Sequence, residues 1–138
     1  MTTKSSGFSL IELLVVVAIL GIIASIGIVS YTGYVSGAKR KSAENVMQQI
    51  SLGQTEYYSD NGTYFLNSNS ANCSPTSATS TAIETNLLGG SDNINDEMGY
   101  QLCIADDSSN YKVIATETGG GSCKISMSAL NVITRTNC

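Results

Sequence analysis

The chain has 138 residues, 11 acidic and 7 basic side chains, a formal net charge of −4 and no histidine. That acidic balance weighs against a general nucleic-acid binder, which needs a basic face. The length suffices for one membrane helix and one small domain. No nucleophile–base constellation and no glycine-rich phosphate loop can be read in it, so the chain does not read as an enzyme and implies no cofactor.

Residues 1–7 form a short polar leader whose one charge is Lys4. Leu, Ile and Val fill fourteen positions between Leu10 and Val29, and no charged residue lies between Leu13 and Ala38. About 20 residues at ~1.5 Å rise match a hydrocarbon core of ~30 Å, which predicts a membrane-spanning helix. A buried helix of a soluble protein seldom runs this far without a polar face. Glu12 is the exception near one end. A central acid costs ~3 kcal/mol on insertion against ~0.4 kcal/mol returned by each aliphatic residue, so the helix inserts and the charge needs its own reason. Gly21 and Gly27 each cost ~1 kcal/mol of helix propensity, serving close packing or a local loosening of the helix in an assembly.

From residue 30 to 58 the pattern turns amphipathic. Val35, the stem of Lys39, Ala43, Val46, Ile50, Gly53 and Tyr57 recur at helical spacing, while Arg40, Lys41, Glu44, Gln48 and Gln49 take other positions. Asp60-Asn61-Gly62 ends this helix, because Asn and Gly accept left-handed backbone angles. Lys39-Arg40-Lys41 reads as a solvated face or a headgroup contact, with DNA contact as the minority reading. By the positive-inside rule this cluster opposes Lys4 in setting orientation. The cysteines decide the matter, since they need an oxidising exterior.

Residues 63–99 read as a long Ser/Thr/Asn/Gly-rich loop with a short helix at Ser80–Leu88, where Ile83, Leu87 and Leu88 face inward. Asn61-Gly62-Thr63 and Asn72-Cys73-Ser74 match the glycosylation tripeptide, though ordinary turn chemistry is much the better explanation. Tyr100–Ala105 and Tyr111–Thr116 alternate like strands around a turn at Asp106–Asn110. Gly119-Gly120-Gly121 forms a flexible link, Cys123–Ser128 a third strand and Val132–Thr134 a short return. The fold class is therefore α+β: a long N-terminal helix on a small antiparallel sheet, with the other face of the sheet solvated. Asp106 and Asp107 suggest calcium only weakly, and a turn is the better reading, so no metal is implied. With no Cys-x-x-Cys pair, Cys73, Cys103, Cys123 and Cys138 point to disulfides rather than zinc. Three pairings are possible; Cys73–Cys103 and Cys123–Cys138 are favoured because each ties a loop or tail to adjacent structure.

Gly7-Phe8-Ser9-Leu10-Ile11-Glu12-Leu13-Leu14 resembles the leader junction of type IV pilins and type II secretion pseudopilins. The likeness continues through Tyr31, Tyr34-Val35, Ala38-Lys39-Arg40-Lys41-Ser42-Ala43 and Tyr57-Tyr58-Ser59-Asp60-Asn61-Gly62-Thr63-Tyr64, which resemble type IVa pilins, including small minor pilins. The resemblance implies cleavage after Gly7 by a membrane-embedded prepilin peptidase, methylation of the new amine on Phe8, and pairing of Glu12 with a free N-terminal amine during assembly. Val29 departs from the family, which usually carries proline near that place. The expected organisation is a leader at 1–7, a membrane and filament-core helix at 8–29, its amphipathic continuation at 30–58 and a globular region at 59–138. The expected function is a structural subunit held in a bacterial inner membrane, N-terminus cytoplasmic, and assembled with other pilin subunits by inner-membrane machinery into an extracellular filament for adhesion, motility or DNA uptake. A type II secretion pseudopilin, and a competence pilin that contacts DNA through Lys39-Arg40-Lys41 or the C-terminal strands, are the alternatives.

Overall fold

The computed structural model describes residues 7–138, so the leader up to Ser6, including Lys4, lies outside the described residues. The chain divides into two units, one ending at Gly37 and the other running from Ala38 to Cys138.

In the first unit, helix α1 (Leu10–Asn61) begins, and every residue from Gly7 to Tyr34 is exposed. A helix apolar on all sides is the pattern of a segment whose surroundings are lipid or like helices. It is the one described helix long and apolar enough to cross a membrane. The helix stays regular through Gly21 and Gly27.

The second unit is an α+β domain. Within it α1 buries Ala43, Val46, Met47, Ile50 and Gln54 along one side. A second helix, α2 (Ser77–Leu87), and four strands follow: β1 (Tyr100–Asp107), β2 (Asn110–Glu117), β3 (Lys124–Ser128) and β4 (Ile133–Thr136). The strands form one antiparallel sheet in the order β1-β2-β3-β4, with Leu102 opposite Ala115, Ala115 opposite Ile125, and Ile125 opposite Arg135. Leu102, Ile104, Tyr111, Val113, Ala115, Ile125 and Met127 share one core with the α1 residues and with Ile83. The period-2 alternation therefore aims one face of the sheet at the helix.

Several expectations need correction. Glu44, assigned to the polar side of α1, is buried, because Arg135 from β4 reaches across to it. Helix α2 starts three residues earlier than Ser80. Thr76 is its N-cap, and the Thr76 and Thr79 side chains each accept from the other's backbone N–H at 3.2 and 2.9 Å. The turn in the β1–β2 hairpin is only Ser108-Ser109, both at positive φ, which matches the strand twist and lets Asp107 pair with Asn110. The face of β1 turned away from α1 is not simply solvated: Cys103 and Ala105 are buried there with Ile114 and Cys73. Gly119-Gly120-Gly121 lies in the β2–β3 connection. Gly119 and Gly120 have positive φ, and a Cβ on Gly121 would overlap the Glu117 carboxylate. In the 63–99 stretch, Ile94 and Met98 are buried in the domain besides Ile83 of α2.

Candidate functional site

The first region to place is the leader junction. Gly7 and Phe8 are exposed and precede the helix, Phe8 being 87% accessible. Glu12 stands in the first turn of α1 and closes a reciprocal cap with Ser9. The Ser9 N–H donates to the Glu12 carboxylate at 3.1 Å, and the Glu12 N–H donates to the Ser9 hydroxyl at 3.3 Å. Each bond satisfies a backbone donor that helix geometry leaves orphaned. Ser-x-x-Glu before an apolar run is a sequence signal for this arrangement, and it assigns Glu12 a role within its own chain beside the one implied by resemblance.

The basic cluster Lys39-Arg40-Lys41 does not form one patch. Successive residues on a helix point in different directions. Lys41 lies 3.6 Å from the Glu44 carboxylate, the Arg40 Nε is enclosed, and the Lys39 stem runs beside Gly99. Glu44 also accepts from the Arg135 Nε at 2.6 Å. That hydrogen bond holds the Glu44 carboxyl below its ordinary range, against the opposing effect of burial.

The sheet face turned away from α1 carries the other basic residues. Lys112 and Thr116 on β2, Lys124, Ser126 and Ser128 on β3, and Thr134 and Thr136 on β4 share this face by strand parity, and Lys124 lies opposite both Thr116 and Thr136. Among the described residues, no carboxylate from β2, β3 or β4 joins them; Asp107, at the end of β1, shares the face at its hairpin end, opposite Asn110. Their shared face could not be read from the sequence, because only strand register brings these lysines together.

Two disulfides frame this surface. Cys73 is joined to Cys103 and Cys123 to Cys138. The first fastens the 67–73 segment over β1, where Asn67 and Ser68 donate backbone N–H groups to the Ile104 carbonyl at 2.9 and 3.2 Å. The second fastens the C-terminus beside the start of β3. Asp107 belongs to the hairpin, and no group of His, Cys, Asp or Glu able to hold a metal occurs among the described residues. Asn61 of the first glycosylation tripeptide donates its side chain to the Tyr57 carbonyl at 3.1 Å. Asn72 of the second accepts from Ser70 at its carbonyl at 2.6 Å.

Comparison with known proteins gives two family matches. Residues 2–28 match the prokaryotic N-terminal methylation motif. Residues 29–126 match the family described as type IV minor pilin ComP, DNA uptake sequence receptor. No curated protein and no solved structure matches the chain significantly. With the ComP match covering well over half of the sequence, and a methylation motif leading into an apolar helix ahead of an α+β domain, the chain belongs to the ComP family of type IV minor pilins.

Proposed function

We propose that this type IV pilus subunit contacts DNA during uptake, using the outward face of β2–β4. The family's description as a DNA uptake sequence receptor supports that reading. The observation that carries it is the lane of Lys112 and Lys124 among Thr116, Ser126, Ser128, Thr134 and Thr136 without an intervening carboxylate. Lysines and hydroxyls on a twisted sheet suit phosphate contact, which supplies most of the affinity of such interfaces. The net negative charge of the whole chain does not oppose this, because screening over ~10 Å makes the local field decisive.

The family consists of structural filament subunits, and assembly with other pilin subunits follows from membership. The methylation motif and the apolar helix fit a membrane-anchored pilus precursor. Within that frame we propose cleavage between Gly7 and Phe8 by a prepilin peptidase, N-methylation of Phe8, and pairing of Glu12 with the Phe8 amine of a neighbouring subunit. The proposed segments are a leader at 1–7, a filament-core helix at 8–29, its continuation at 30–58 and the globular region at 59–138. Storage in the inner membrane, delivery by its assembly machinery and exposure on an extracellular filament complete the reading. No step in it requires catalysis by this chain.

The test is duplex DNA binding by the full chain in lipid nanodiscs across a salt series. Each phosphate contact adds a slope of ~0.9 in log K against log salt, so Lys112→Ala with Lys124→Ala should flatten the dependence by about two units. No DNA retention by the unmodified chain at moderate salt would dismiss the reading.

A further inference from the structure

A cluster of tyrosines gathers where the end of α1, the turn after it and β2 meet. Tyr64 stacks between two other rings, 4.8 Å from Tyr58 and 4.9 Å from Tyr111 by centroid. Tyr111 is itself buried and anchored, its hydroxyl donating to the Ser51 hydroxyl at 2.9 Å. Tyr58, at the outer end of this stack, is 48% accessible. Beside the rings lies a cleft of about 320 Å³, between the end of α1 and the β1–β2 hairpin, to which Thr63, Asp106 and Asn110 also contribute. The side chains of these three residues have no hydrogen-bond partner among the described residues.

We propose that this cleft binds a neutral hexose unit of a surface glycan. A pyranose offers one face of C–H groups and a rim of hydroxyls. Tyr58, backed by the Tyr64 ring, supplies an apolar platform at low entropic cost, while Asp106, Asn110 and Thr63 supply acceptors and donors at its edge. A carboxylate accepting from sugar hydroxyls makes the stronger, charge-assisted kind of hydrogen bond. The lining contains no Lys or Arg, so Asp106 repels a phosphodiester. The cleft opens at the hairpin end and is lined by neither Lys112 nor Lys124, although Asn110 shares its sheet face with Lys112. Asp106 shares strand parity with core-facing Ile104, whereas Lys112 pairs with Ala105 on the opposite face.

The experiment is saturation-transfer NMR on the full chain in lipid nanodiscs, free of glycosidic detergent, with the methyl α- and β-glycosides of glucose, galactose and mannose. Transfer to ring protons of at least one glycoside is expected. It should vanish in Tyr58→Ala, persist in Tyr58→Phe, and need about tenfold more ligand in Asp106→Asn, as loss of a hydrogen bond to a charged group predicts. Lys112→Ala should leave it unchanged. Asn110→Ala, at an exposed position, should also weaken transfer, with the amide spectrum of each variant reporting its fold. Absence of transfer from all the glycosides overturns the proposal, as does equal transfer in Tyr58→Ala. Displacement of the glycoside by a duplex oligonucleotide also overturns it, by making the cleft part of a DNA surface.

Discussion

Glu44 shows how one residue can ground a prediction. It is 5% accessible, bound by Arg135 from β4 and by Lys41 from its own helix. Replacing it by Gln should cost about 2 kcal/mol, the worth of a charge-assisted hydrogen bond in a half-dry setting. The sign with pH follows from its lowered pKa. A carboxyl bound more tightly when ionised contributes its stability above the ordinary value of 4.5, and loses it as pH falls through the lower folded value. Chemical denaturation of parent and Glu44→Gln should therefore differ at neutral pH and converge in acid. Glu12 is the contrasting case, exposed and already engaged with Ser9. If its main service is to a neighbour's amine, Glu12→Ala should leave membrane insertion intact and sharply lower the amount recovered in sheared filaments. Ser9→Ala should lose about 1 kcal/mol of cap but keep incorporation. Immunoblots of membrane and sheared fractions check both.

At the scale of elements, the approach of α1 to α2 is set by Gly53. A Cβ there would stand 2.6 Å from the Leu87 carbonyl oxygen and 3.2 Å from the Leu87 Cβ. Gly53→Ala gains ~1 kcal/mol of helix propensity but must push two backbones apart, at about 1–3 kcal/mol. A net loss in thermal stability is expected, opposite in sign to an unhindered glycine in a helix. Gln54 next to it is fully buried and mimics a strand partner, its side chain both donating to the Phe65 carbonyl at 2.7 Å and accepting from the Phe65 N–H at 2.9 Å. The edge of β1 is closed in the same manner. Its Leu102 N–H donates to the Ser80 hydroxyl at 3.0 Å, and its Ile104 N–H to the Asn67 side chain at 2.7 Å. Such polar groups close an edge that would otherwise invite pairing with another chain.

For the domain as a whole, covalent ties supplement a small core. Each disulfide should be worth about 3 kcal/mol, and the Cys73–Cys103 link, spanning 30 residues against 15 for Cys123–Cys138, about 0.6 kcal/mol more from loop closure alone. Removing Cys73 and Cys103 together should lower the midpoint of unfolding further still, because their loop covers Ala105 and Ile114. Comparing denaturant midpoints of the two paired-Ala variants checks this order. By itself the amino-acid order determined the uncharged helix, the junction motif, the amphipathic face and the strands, since each is a local pattern of period, length or spacing. The burial of Glu44, the closing of the β1 edge, the lysine lane and the tyrosine cleft were decided only by tertiary structure. Their members lie far apart in the chain, and strand register and helix packing alone bring them within a few ångströms.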